Sequence, residues 1–147
     1  MTLTLVATGL AVLLIALWIK RARDRRKLAQ HSISPEDLRV LLSTRKDVLV
    51  YDVRQPLDLL ADSEIIPGAT RMDPKDVIAN PSLIPREKEI VVYCTCPSDK
   101  TARSILQRAL ANRFFRIKFL KGGLEAWKAR GYPVEPYDKP FHLDSAT

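Results

Sequence analysis

The chain has 147 residues and a formal net charge of +7, from 24 basic and 17 acidic side chains. Six of the basic side chains and one acid lie between Lys20 and Lys27, and the rest of the chain carries 18 basic and 16 acidic side chains. Because the excess charge is one local block without interleaved aromatic residues, the composition argues against a nucleic-acid-binding protein.

An uncharged apolar stretch, Met1 to Ile19, opens the chain. As a helix it would span roughly 28 Å, close to the hydrocarbon thickness of a bilayer. A signal peptide has its basic segment before the apolar run, and here the basic block follows the run. A buried core helix would not need every side chain to be apolar. The pattern therefore predicts a transmembrane anchor and a basic juxtamembrane segment over residues 1–27, with the membrane as partner of Met1 to Ile19.

The position of the basic block also predicts the topology of the chain. Basic residues that flank a membrane helix stay on the cytoplasmic side, so Lys20 onward is expected in the cytoplasm. The block would then lie against anionic lipid head groups. We expect a single-pass protein of the cell membrane whose domain faces the cytoplasm.

A globular domain is predicted over residues 28–134, followed by a flexible tail over 135–147. Its first helix has an N-cap at Ser34, a proline at the first helical position and acids in the first turn. The continuous apolar strands fit a parallel sheet covered on both faces, which indicates a small α/β domain. The predicted elements are, in chain order, a helix over 35–42, a strand over 48–51, a helical turn at 55–56, a turn at Gly68, a helix over 74–79, a loop over 81–85, a strand over 89–93, a helix from 100 to about 113, a half-exposed strand over 115–119 and a helix over 124–129.

The strand over 89–93 delivers the two cysteines of the chain, Cys94 and Cys96, into a short loop before the next helix. Sheets of this class usually place their chemistry at such a position. Backbone N–H groups and the dipole of the following helix favour a thiolate there. A disulfide between residues so close would close almost no loop, and His31 and His142 lie too far apart in the chain to suggest a metal site. We therefore expect a cysteine-dependent enzyme with reduced thiols, no metal and no cofactor.

Four sequence segments resemble the rhodanese-like domain, in the order and spacing of that family. They are SPEDLRVLLSTRKDVLVYDVRQP from Ser34, IPGA from Ile66, EIVVYC from Glu89 and LKGGLEAWKARGYPV from Leu120. The resemblance covers about residues 33–134 and implies a three-layer α/β sandwich with a central parallel sheet. It also implies sulfurtransferase chemistry. In that chemistry a loop cysteine takes sulfane sulfur from a small anion such as thiosulfate, holds it as a persulfide and passes it to a thiol or to cyanide.

The cysteine loop has the form CxCP, which differs from the usual loop of the family and lacks its glycine. The end of the strand favours Cys94 as the nucleophile, whereas the spacing to the following Lys121–Gly123 segment favours Cys96. We prefer Cys94 and keep Cys96 as the alternative nucleophile or as a resolving thiol. Hydroxyl groups and cations of the loop and the next helix are candidates for binding the sulfur or its oxyanion donor: Thr95, Ser98, Lys100, Thr101 and Arg103.

Four other side chains have structural and functional interpretations. Asp52 and Arg54 are predicted to form an ion pair or to brace the loop after the first strand. Trp127 is predicted to lie in the core. Arg71 could instead lean toward the cysteine loop and bind an anionic donor.

Two other functions compete with sulfur transfer. Rhodanese-related phosphatases hold an oxyanion in a loop between a cysteine and an arginine, and Arg103 lies too far along the chain from either cysteine for that loop. A non-catalytic module that recruits a partner to the cytoplasmic face of the membrane is consistent with the anchor. Such a module would not require two cysteines in the loop.

Overall fold

The computed structural model describes residues 1–95 and 100–140. The chain divides into two compact units, Met1–His31 and Ser32–Thr147. The first unit is one helix, α1, over Thr2–Gln30. It contains a segment, Leu5–Gln30, that is long and apolar enough to cross a membrane. The helix runs on through the basic block and ends at Gln30, three residues beyond the predicted anchor and juxtamembrane segment over residues 1–27.

The second unit is built on a five-stranded parallel sheet in the order β1-β6-β5-β2-β4. Strand β5 lies in the middle, between β6 and β2, and all four of its residues are buried. The predicted α/β fold with a central parallel sheet is confirmed. The strands are β1 over Ser32–Ile33, β2 over Leu49–Asp52, β3 over Glu64–Ile65, β4 over Thr70–Arg71, β5 over Ile90–Tyr93, β6 over Ile117–Leu120 and β7 over Glu135–Pro136.

The helices of this unit begin and end with recognisable signals. Ser34 caps the first of them, since its Oγ accepts a hydrogen bond from the Asp37 amide at 3.1 Å. Asp73 caps another through the Lys75 amide at 2.8 Å. The helices are α2 over Pro35–Thr44, α3 over Pro56–Ala61, α4 over Pro74–Ala79, α5 over Lys100–Ala111 and α6 over Gly123–Ala129, with a 3₁₀ turn at Pro81–Leu83.

The hydrophobic core joins the sheet to the helices on its faces. Leu38 of α2 and Trp127 of α6 are almost completely buried, and the predicted core position of Trp127 is confirmed. The Trp127 indole donates to the Pro133 carbonyl at 2.9 Å, which satisfies its only donor. The core cluster consists of Ile33, Leu38, Val48, Val50, Ile66, Val91, Tyr93, Leu120, Leu124 and Trp127.

Strand β6 differs most from its prediction. The sequence alternation suggested a half-exposed strand over 115–119, whereas Ile117, Phe119 and Leu120 are buried and the strand lies inside the sheet, between β1 and β5. Phe115 precedes the strand and is 67% exposed. The two-residue strand β1 covers the outer side of β6 and was not predicted, because two residues carry no periodic signal.

The carboxyl-terminal segment contains an element that was not predicted. Strand β7, at the start of the segment predicted as a flexible tail, pairs antiparallel with β3. The Tyr137 amide extends this pairing by donating to the Ser63 carbonyl at 2.7 Å. Strand β7 thus lies at the start of the predicted tail, whose flexibility stays a prediction, and residues 141–147 lie outside the described residues.

Candidate active site

The carboxyl ends of the parallel strands meet at one edge of the sheet, and the chemistry-bearing side chains gather there. Register places Asp52 at the end of β2 between Tyr93, at the end of β5, and Arg71, at the end of β4. Cys94 directly follows β5 and is only 3% exposed. The central strand therefore presents its thiol at the edge where α/β sheets commonly bind ligands.

Two neighbouring segments hold the main chain at Cys94. The Val53 amide donates to the Tyr93 carbonyl at 3.0 Å, and the Leu124 amide donates to the Cys94 carbonyl at 3.1 Å. Gly123 has a φ of +58°, and a Cβ at this position would lie 1.9 Å from the Cys94 carbonyl oxygen. Position 123 therefore requires glycine both for its backbone conformation and for its close approach to Cys94.

A buried polar cluster of Asp52, Arg54 and Tyr93, which we call the closed cluster, lies at the same edge. The Arg54 Nε donates to both Asp52 carboxylate oxygens, at 3.0 and 2.9 Å, and its Nη2 donates to Asp52 Oδ2 at 2.6 Å. Arg54 also donates to the main-chain carbonyls of Asp62 at 2.7 Å and Glu64 at 2.8 Å. The predicted ion pair of Asp52 and Arg54 is confirmed, and both side chains are fully buried.

The Tyr93 hydroxyl completes the closed cluster. It donates to Asp52 Oδ2 and accepts from the Ile66 amide, each at 3.2 Å. Burial, aided by the charge of Asp52, raises the pKa of Tyr93, so the phenol stays protonated as a donor. Burial alone would lower the pKa of Arg54, but the hydrogen bonds and charge of Asp52 outweigh it and raise that pKa. The cluster is thus a neutralised ion pair whose polar atoms are satisfied.

Arg71 lies at the edge with a different set of contacts. Its Nη1 donates to the Asp52 carbonyl at 3.2 Å and to the Met72 carbonyl. Within the described part of the chain, the buried Nε of Arg71 has no hydrogen-bond partner. The Thr95 Oγ1, one residue after Cys94, is also buried and without a partner in residues 1–95 and 100–140. We call Arg71 and Thr95 the open pair.

The other predicted site residues lie around the start of α5 or fall outside the described residues. Lys100, the first residue of α5, and Arg103, in its first turn, are exposed, whereas Thr101 is half-buried. Cys96 and Ser98 lie outside the described residues, so the structure gives no contacts for either. In residues 1–95 and 100–140 there is no group of three His, Cys, Asp or Glu side chains that could hold a metal ion.

Sequence reasoning missed two features of this site. One is the close contact of Gly123 with the Cys94 main chain, for which the only signal was a glycine pair directly after an apolar strand. The other is the hydroxyl contact of Tyr93 with Asp52 and Ile66. That contact joins residues far apart in the sequence, and nothing local in the sequence indicates it.

Comparisons with known proteins agree on one family. The sequence profile of the rhodanese-like domain matches residues 34–130. A sulfurtransferase from Allochromatium vinosum is 27% identical over 104 residues, which cover 71% of this chain and 94% of that protein.

Solved structures give the same result. A rhodanese-related protein from Thermoplasma volcanium is 25% identical with a TM-score of 0.58, over 71% of this chain and 97% of that one. A thiosulfate sulfurtransferase from Pseudomonas aeruginosa is 25% identical with a TM-score of 0.58. That match covers 74% of this chain but only 20% of the Pseudomonas protein.

Proposed function

Because this chain belongs to the rhodanese-like domain family, we propose that it is a membrane-anchored sulfurtransferase that carries sulfane sulfur as a persulfide on Cys94. The donor is a small sulfur-containing anion such as thiosulfate, and the acceptor is a thiol or cyanide. The observation that carries the proposal is the placement of Cys94. It directly follows the central strand β5, and its main chain is held by Leu124 and Gly123.

The proposed chemistry needs no oxidant or cofactor. The Cys94 thiolate attacks the outer sulfur of thiosulfate, a new S–S bond forms to Sγ, and the S–S bond of thiosulfate breaks. The electron pair of the broken bond leaves with sulfite. An acceptor thiolate or cyanide then attacks the terminal sulfur of the persulfide, which yields a new persulfide or thiocyanate and returns the Cys94 thiolate.

The relatives support this class of reaction. The Allochromatium protein is named a sulfurtransferase and the Pseudomonas protein a thiosulfate sulfurtransferase. The family match covers residues 34–130, which contain Cys94 and the strands β2, β4, β5 and β6. Thiosulfate is therefore the first donor to assay. Other donors and acceptors are then compared on the same preparation to identify the physiological pair.

The proposed anchor rests on α1. An 18-residue window of its segment Leu5–Gln30 has a mean hydropathy of 1.8, and none of that window is buried inside the structure. The basic side chains at its carboxyl-terminal end favour the cytoplasm by the positive-inside rule. Protease added to intact cells should leave the domain uncut, and protease added to inverted membrane vesicles should digest it; digestion in intact cells contradicts the orientation.

Mass spectrometry of the full chain in detergent micelles tests the enzyme proposal. After incubation with thiosulfate, we expect an adduct with the mass of one sulfur atom, and thiocyanate on addition of cyanide. Cys94→Ser should abolish both, while Cys96→Ser should retain the adduct on Cys94. An adduct that survives in Cys94→Ser and disappears in Cys96→Ser would assign the nucleophile to Cys96 instead.

The competing function is a non-catalytic module that recruits a partner to the membrane. That function predicts neither an adduct nor thiocyanate with any sulfane-sulfur donor, although the chain folds and inserts into membranes. The same measurements therefore separate the two functions.

A further inference from the structure

The contacts of Arg71 fix one side of its guanidinium and leave the other side unused. Nη1 is held by the carbonyls of Asp52 and Met72. The guanidinium therefore lies at the carboxyl end of β2, the strand that separates β4 from β5 in the sheet. Neither Nε nor Nη2 makes a hydrogen bond within the described residues, and Arg71 has no ion pair there.

Nε and Nη2 form the edge of a guanidinium that binds a carboxylate or another oxyanion through two parallel hydrogen bonds. Arg54, two residues after the end of β2, uses this edge of its guanidinium to bind a carboxylate. Its Nη1 also donates to a main-chain carbonyl, and its Nε and Nη2 grip the Asp52 carboxylate. Arg71 likewise donates through Nη1 to main-chain carbonyls. No carboxylate of the described residues accepts a hydrogen bond from its Nε or Nη2.

The position of Thr95 strengthens the argument. A buried donor without an acceptor is costly, and such groups in folded proteins call for a specific explanation. In residues 1–95 and 100–140, the buried side-chain polar atoms without a partner are Arg71 Nε and Thr95 Oγ1. Both belong to residues at the carboxyl edge of the sheet, on the two sides of β2.

We propose that the Nε–Nη2 edge of Arg71, assisted by the Thr95 hydroxyl, binds the oxyanion end of the sulfur donor. The inference deepens the proposed function and rests on it. The donor is the thiosulfate-type anion of the proposed function, and the new element is the pair of residues assigned to its oxygen atoms. The same contacts bind the sulfite that leaves. They stabilise the negative charge that develops on it as the S–S bond breaks.

Nuclear magnetic resonance of the Arg71 side chain tests binding apart from chemistry. The sample is the full chain in detergent micelles, labelled with nitrogen-15, with Cys94→Ser and Cys96→Ser so that no sulfur is transferred. The Arg71 Nε–H resonance is assigned by its loss in Arg71→Lys. We expect it to shift saturably with thiosulfate and with sulfite, and not with chloride at equal ionic strength.

Kinetics of the chain with both cysteines provides the second measurement. Arg71→Gln should raise KM for thiosulfate about 10- to 100-fold, the range for losing charge-assisted hydrogen bonds. KM for a donor without an oxyanion group, an alkyl hydropersulfide whose outer sulfur passes to Sγ while its thiolate leaves, should not change. Arg71→Lys keeps the charge but loses the two-donor edge, so its KM for thiosulfate should lie between those of the wild type and Arg71→Gln. Thr95→Val should give a smaller rise.

Arg116→Gln is the matched control. Arg116 also donates through Nη1 to a main-chain carbonyl, that of Glu87, at 2.9 Å. It lies at the amino end of β6, so its loss removes the same charge at the opposite edge of the sheet. Its KM for thiosulfate should stay that of the wild type.

The possible failures are distinguishable. If the Arg71 resonance does not shift, or if Arg71→Gln and Arg116→Gln raise KM equally, the oxyanion subsite is refuted while sulfur transfer stands. If the resonance shifts but no donor loads the wild-type chain with sulfur, the proposed function is refuted and the anion site stands.

Discussion

The carboxyl edge of the sheet has two parts that use the same residue type in opposite ways. In the closed cluster, the Arg54 edge is filled by Asp52 and no polar atom is left over. In the open pair, Arg71 is held by main-chain carbonyls while its Nε lacks a partner in the described residues. An arginine at this edge is therefore assigned to the scaffold or to a ligand by which of its donors are occupied, and not by its charge alone.

The largest expected effect comes from opening the closed cluster. Asp52→Ala leaves the Arg54 guanidinium buried without its counterion, and breaking such a pair typically costs about 3–5 kcal/mol. Urea unfolding of the full chain in micelles measures this loss. Asp47→Ala removes the exposed partner of Arg45 and should change the unfolding midpoint only slightly. Equal losses in the two variants would contradict the structural role of the closed cluster.

The next effect concerns the contact that holds Cys94. Gly123→Ala forces a side chain into the left-handed region and onto the Cys94 carbonyl, and should cost at least about 2–3 kcal/mol. It should also reduce sulfur loading, because the Cys94 main chain must move. Gly131→Ala is the control, since Gly131 has a φ of +70° but open space around its Cα. It should cost only the conformational strain of about 1–2 kcal/mol and leave loading unchanged.

Tyr93→Phe tests the outer contact of the closed cluster. It leaves the buried Ile66 amide without its acceptor and Asp52 without one donor, so we expect a loss of about 1–3 kcal/mol. Thermal unfolding with the same detergent measures it. A loss too small to detect would mean that water replaces the hydroxyl, and that this side of the cluster is not closed.

Arg71→Gln should lower the free energy of unfolding by less than about 1 kcal/mol, because the wild type already leaves a buried donor unpaired there. The loss in Arg71→Gln should therefore be much smaller than the loss in Asp52→Ala. A loss as large as that of Asp52→Ala would make Arg71 a scaffold residue and weaken its assignment to a ligand.

The smallest effect is pH-dependent and involves the carboxylate beside the closed cluster. Burial tends to raise the pKa of Asp62, but the hydrogen bond and charge of Lys128 outweigh it, so its pKa lies below the ordinary value of 3.8. Glu64 and then Asp62 raise the pKa of Lys128 from 10.5 to about 12.

The two pKa shifts affect stability at opposite ends of the pH range. The Asp62 contribution is present above pH 3.8 and is lost as pH falls through the folded-state pKa. The Lys128 contribution is present below pH 10.5 and is lost as pH rises through about 12. Urea midpoints across pH should therefore fall less steeply at both ends in Lys128→Met than in the wild type. Parallel profiles in the two proteins would show that this surface pair has no role in stability.

Much of the fold was predictable because its signals are local. The proline after Ser34, the apolar runs of β2 and β5 and the spacing of α5 each lie within one element. The short strands β1, β3, β4 and β7 were not predictable, since each takes its conformation from a partner distant in the sequence. Strand β6 was interpreted as half-exposed because its burial depends on the two-residue strand β1, which the sequence does not reveal.

The candidate site was predictable in position but not in its contacts. A cysteine directly after a buried strand indicated that the site lies at the carboxyl edge of the sheet. The Asp52–Arg54 ion pair was predictable because the two residues are close in the chain. The sequence predicted only that Arg71 could lean toward the cysteine loop. Which of its donors are occupied follows from the contacts of Nη1 with Asp52 and Met72, which depend on the neighbouring strand.

The contacts of Leu124 and Gly123 reach the carbonyl of residue 94 and not its side chain. The scaffold therefore specifies where the main chain passes at that point through two contacts that do not involve the Cys94 side chain. Fold and the proposed reactivity are separable to that extent: a change of one side-chain atom can abolish sulfur loading while these two main-chain contacts remain. In evolutionary terms, a family built on this edge can gain or lose catalysis without having to find a new fold.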